Sequence, residues 1–74
     1  MKVYGYSKQV VNNQKLLEMS EVTFSMEPDE LRKVAKFLEL AANEKEKHPE
    51  SFGHEHLKDS VASWPENGTD IIVA

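Results

Sequence analysis

The sequence predicts a small two-layer α+β domain of β-β-α-α-β order, an antiparallel hairpin plus a C-terminal strand with helices on one face of the sheet. Three observations predict it. Two runs rich in aromatic and branched residues lie near the N-terminus, with turn-forming asparagines between them. A long stretch opened by Pro28 then carries apolar residues at helical spacing, and an unbroken Ile71-Ile72-Val73 run closes the chain. At 74 residues the chain is one domain spanning 1–74, because a length well under 150 leaves no room for a second core.

Val3 to Ser7 forms the first strand, and Asn12-Asn13-Gln14 supplies the turn chemistry that follows it. The second strand covers Leu16 to Ser25, with Val22, Phe24 and Met26 on one face and Glu21, Thr23 and Ser25 on the other. Leu17 and Met19 have the opposite parity, which asks for a β-bulge near Ser20 or a two-sided strand. Pro28 starts the long helix, since a first-turn proline loses no hydrogen bond, and Asp29 and Glu30 suit the positive end of the helix dipole. Leu31, Val34, Ala35, Leu38, Ala41 and Ala42 fall in one stripe that reads as core, with Phe37 on its flank and Leu40 opposite. His48-Pro49 stops this helix. Leu57, Val61 and Trp64 then repeat at i, i+4 and i+7 and predict a second helix ended by Pro65. Asn67-Gly68 turns the chain into the last strand, whose apolar run predicts an interior place in the sheet. A strand returning after helices lies parallel to its neighbour by a right-handed crossover.

Composition narrows the function. There is no cysteine, hence no disulfide and no thiolate metal site. No apolar segment follows Met1-Lys2 and none has membrane length, so the expectation is a cytoplasmic protein without a membrane partner. Through His48 eight Lys/Arg balance eight Asp/Glu; from Pro49 onward Glu50, Glu55, Asp59, Glu66 and Asp70 face Lys58 alone, so the net charge of −4 resides in the last third. Such a segment repels nucleic-acid phosphates and favours encounter with a basic protein.

The densest chemistry lies in Phe52-Gly53-His54-Glu55-His56-Leu57-Lys58-Asp59. On an extended segment His54 and His56 share a side and could chelate zinc, with His48, Glu50 or Asp59 completing the set; on a helix they stand about 200° apart and could not. The apolar spacing downstream starts a helix near here, so the histidines read as contact or local structure, and no metal or cofactor is expected. Catalysis is not expected either. The serines sit in no nucleophile motif, and a domain this small leaves little volume for a substrate pocket. Tyr4 and Tyr6 share one strand face and suit either half-buried packing in the sheet or a partner surface, where aromatic residues dominate hot spots.

Lys2-Val3-Tyr4-Gly5-Tyr6-Ser7, Leu16 to Phe24, Pro28-Asp29-Glu30-Leu31, Phe52 to Leu57 and Asp70 to Val73 together resemble the immunity protein 32 family of bacterial polymorphic toxin systems. The resemblance implies a cytoplasmic α+β protein that binds and neutralises a cognate toxin domain. Joined to the charge pattern, it yields the expectation of a non-catalytic domain that occludes a basic toxin. The surface would draw on Tyr4, Tyr6, Glu50, His54, Glu55, His56, Asp59 and Glu66, on a monomer or weak homodimer. The alternative expectation is a small histidine-based metal-binding or regulatory module around His48, His54 and His56.

Overall fold

The computed structural model of the protein describes residues 1–10 and 16–74, so the turn expected at Asn12-Asn13-Gln14 lies outside the described residues. The protein is a small α+β domain. Its elements are β1 (Lys2–Val10), β2 (Leu17–Ser25), α1 (Pro28–Lys47), β3 (Glu55–His56), α2 (Leu57–Ser60) and β4 (Ile72–Val73).

β1 and β2 pair antiparallel, from Lys2 opposite Ser25 to Val10 opposite Leu17. The register slips after Tyr6, which faces Glu21, while Ser7 faces Met19, so Ser20 is the extra residue of a bulge. Its hydroxyl donates to the Tyr6 carbonyl at 3.1 Å and ties the bulge to β1. The bulge answers the parity conflict in the sequence. Because directly paired residues share a face, Val3/Phe24, Gly5/Val22, Ser7/Met19 and Val10/Leu17 line one side, and Tyr4/Thr23, Tyr6/Glu21 and Gln9/Glu18 line the other. Gly5 belongs to the apolar side because a Cβ there would lie 2.6 Å from the Glu21 carbonyl oxygen and would collide with the Met19 methyl.

α1 starts where local chemistry says it should. Pro28 occupies its first turn with Asp29 and Glu30, and the Glu30 carboxylate accepts from the Glu27 N–H at 2.9 Å. Lys45 and Lys47 sit in the last turn, where the dipole favours cations. Beyond it, the Ser51 and Phe52 N–H groups return to the His48 carbonyl, and the Lys45 ammonium lies 5.8 Å over the Phe52 ring.

The core is a cluster of Val34, Phe37, Leu57 and Trp64, with Met1, Met26, Val61, Ile71 and Val73 packed around it. The buried face of α1 is therefore Val34, Phe37 and Ala41, and the stripe expected from the sequence is displaced. Leu31, Ala35, Leu38 and Ala42 are exposed, while Phe37, expected on the flank, is central. The cause is the position of the second layer: Leu57 and Trp64 pack on the Phe37 side and rotate the buried arc toward it.

Two further expectations change. The second helix is a single turn, because Val61 adopts an extended backbone that ends it. Leu57 and Trp64 are buried and Val61 is half-buried all the same, so the i, i+4, i+7 spacing marks an inward face that the backbone reaches by one helical turn and a following bend. The last strand is not interior to the hairpin sheet. β4 pairs antiparallel with β3 in a separate two-stranded sheet, Glu55 opposite Val73 and His56 opposite Ile72. Ile71 and Val73 turn to the core while Ile72 is 52% exposed, so the apolar run alternates and needs burial on one face alone.

Truncating Phe37, the centre of a very small core, is expected to cost about 3–5 kcal/mol, whereas Leu40→Ala, at a half-exposed position, should cost about 1 kcal/mol. Urea midpoints of the two variants check the contrast.

Candidate functional site

The second layer is built around one carboxylate. Asp70 stands two residues before β4, where β4 and β3 come together, and its side chain makes three contacts. Oδ2 lies 2.8 Å from His56 Nδ1, and Oδ1 accepts from the Lys58 N–H at 3.1 Å and from the Ile71 N–H at 2.9 Å. Lys58 is the second residue of α2, so Asp70 caps that turn from another part of the chain, a task that the His56 side chain does not perform. The hydrogen bond from His56 holds the Asp70 carboxyl below its ordinary value; desolvation opposes it, and the two backbone N–H donors add to the lowering. Around this joint the Leu57 N–H donates to the Ile71 carbonyl at 2.8 Å, Trp64 Nε1 to the Thr69 carbonyl at 3.0 Å, and the Lys58 ammonium to the Glu66 carbonyl at 2.8 Å.

The residues singled out in the sequence fall into two groups. Tyr4 and Tyr6 stand on the polar side of the hairpin, 55% and 72% exposed, beside Thr23 and Glu21 on β2. Glu50, His54, Asp59 and Glu66 are exposed around the second layer. Glu55 and His56 are half-buried. Glu55 lines a shallow cavity of about 70 Å³ with Phe37, Leu40, Ala41, Glu44 and Ser60. A neighbouring depression of about 220 Å³ shares Phe37, Leu40 and Ser60 and adds Lys33, Lys36 and Val61. The groove along α1 thus has an apolar floor, with acids at one end and lysines at the other.

His54 and His56 do not act together here. His56 is engaged with Asp70, and no hydrogen bond or ion pair holds the His54 side chain among the described residues. His48 lies 4.0 Å from Glu44 at the end of α1. Among the described residues no three His, Asp or Glu side chains gather in a way that could hold a metal ion, and no described helix is long and apolar enough to cross a membrane. Asp70 is the functional-looking residue that the sequence pattern did not single out: it is fourteen positions from His56, and nothing in either local motif announces the pairing. No family model, no curated protein and no solved structure matches this chain.

Because the folded-state value of Asp70 lies below its ordinary 3.8, its stabilising contribution is present above that pH. It is lost as pH falls through the lower folded-state value. Asp70→Ala is therefore expected to unfold at lower urea than the wild type at pH 7, and the gap should narrow in acid below the ordinary aspartate range. Urea melts across that pH series make the measurement, and a gap that is constant with pH would remove the carboxylate from the account.

Proposed function

We propose that this chain is a non-catalytic protein-binding domain that neutralises a cognate toxin domain by covering it. The observation that carries the reading is the pair Tyr4 and Tyr6, displayed side by side on one exposed strand face. A β-strand holds such side chains at fixed spacing and direction. Tyrosine offers a large amphipathic surface with few rotatable bonds, which suits it to the centre of an interface. Exposed Glu50, Asp59 and Glu66 surround the second layer, while Asp70 is spent on internal hydrogen bonds. The outward charge is acidic on that part of the chain and complements a basic partner, the nuclease type of toxin above all. The resemblance to the immunity protein 32 family points the same way. Occlusion requires only that the docked domain block access to the toxin's substrate, so the mechanism rests on contact area and charge.

Co-expression tests it. The C-terminal domain of the protein encoded next to this gene is produced with and without this protein, and survivors are counted. Rescue with co-purification is the expected outcome; toxicity that this chain fails to relieve would refute the reading. Tyr4→Ala and Tyr6→Ala are each expected to weaken the purified complex by about 2 kcal/mol or more, roughly thirtyfold in Kd. Each should alter the free protein's stability by less than about 1 kcal/mol. Association should also slow markedly as salt rises, and stopped-flow mixing at several ionic strengths reads that dependence.

A further inference from the structure

We propose that two copies of this chain associate through a reciprocal contact, the apolar face of each β1–β2 hairpin laid along the Leu31, Ala35, Leu38, Ala42 stripe of the other's α1. Both halves of that contact lie open in the single chain. On the hairpin, Val10, Leu17, Met19, Val22 and Phe24 share one face and are between 39 and 57% exposed. That face begins at the half-buried Val3, next to Met1 and Met26 at the margin of the core, and runs outward from there. On the helix, Leu31 and Leu38 are 41 and 42% exposed, with Ala35 and Ala42 completing a row at i, i+4, i+7 and i+11. Such a row forms a continuous ridge along one side of a helix.

An apolar sheet face and an apolar helix stripe are the two surfaces that layered domains press together. The Leu31–Ala42 stripe runs about 16 Å at 1.5 Å per residue and fits within the roughly 30 Å of a nine-residue strand at about 3.4 Å per residue, so the hairpin face is long enough to cover it. Taken together, the area left open on the two surfaces is on the order of 600 Å² per chain, somewhat below the roughly 800 Å² each partner gives to a standard interface.

Three considerations make the occupant a second copy. A two-stranded hairpin is marginal in water unless it packs on something, and another copy is a partner present wherever this chain is made. The chain has no cysteine to staple it and only a small core, which leaves oligomerisation as a common support for a domain of this size. Residues 1–48 carry equal numbers of acids and bases, whereas the net charge of −4 lies beyond them. Contact through hairpin and helix therefore meets no net repulsion. One chain supplies both complementary surfaces, so a two-fold arrangement satisfies each of them at once. Tyr4 and Tyr6 stay on the opposite hairpin face, so this contact and the proposed toxin surface are separable.

Sedimentation velocity on the full chain from about 1 to about 100 µM is the test. The wild type is expected to become dimeric within that range. Val22→Lys and Leu38→Glu should each weaken association at least about tenfold while keeping the helical circular dichroism of the wild type. An equimolar mixture of the two variants should recover dimer, because one contact in the mixed pair is unaltered and in the other the introduced lysine faces the introduced glutamate. A wild type that is monomeric at every concentration overturns the dimer. A wild-type dimer that both variants leave intact, or a mixture that stays monomeric, overturns the reciprocal contact.

Discussion

The seating of Phe37 against Leu57 and Trp64 is the contact on which the remaining architecture depends. There the long helix and the C-terminal segment bury apolar side chains together, and Leu57 is fully enclosed. Everything C-terminal to α1 is irregular or short, so its conformation cannot come from long ladders of backbone hydrogen bonds. It comes from pressing an apolar face onto Phe37 and then satisfying the polar groups left beside that face. Trp64 gives its indole N–H to Thr69, and Asp70 gathers His56 and two backbone donors. The order of causes runs from burial to hydrogen bonding: burial sets where the segment lies, and the hydrogen bonds select one conformation among those that burial allows.

Much of this was legible in the residues. Pro28 with its two following acids fixed the start of α1 through first-turn chemistry, and His48-Pro49 fixed its end, because both signals act within a few residues. The mismatch of parity at Leu17 and Met19 announced the bulge at Ser20, since a strand with one apolar face cannot otherwise place those residues beside Val22 and Phe24. Which arc of α1 is buried was not legible. Leu31, Leu38 and Phe37 are all good core residues, and the choice among them is made by where Leu57 and Trp64 arrive from across the chain. The closing Ile-Ile-Val run misled for a related reason: three consecutive apolar residues are compatible with two-sided burial and with one-sided alternation, and only the partner strand decides.

The candidate surface shows the same division. That Tyr4 and Tyr6 share a strand face was legible, but a packed face and a displayed one fit the pattern equally, and their exposure beside Thr23 and Glu21 is decided by what covers the hairpin. The engagement of His56 with Asp70 does not follow from any spacing, because a histidine between glutamate and leucine reads equally well as ligand, contact or hinge. Tertiary pairing gives His56 its partner and leaves His54, two residues away, without one among the described residues. The −4 charge was visible in the sequence, but not that one of its carboxylates is turned inward and withdrawn from the outer surface.

The bulge at Ser20 behaves like a frame marker for the hairpin. Upstream and downstream of it the alternation of side chains along β2 is read in opposite phase, and the two halves share one apolar face because Ser20 is extra on β2, while Lys8 is the extra residue on β1. Substitutions along β2 therefore change the surface one side chain at a time. Deleting Ser20 would leave Leu17, Met19, Val22 and Phe24 in unbroken alternation on one face, so what the bulge adds is its local bend and the Ser20–Tyr6 hydrogen bond rather than the facing itself.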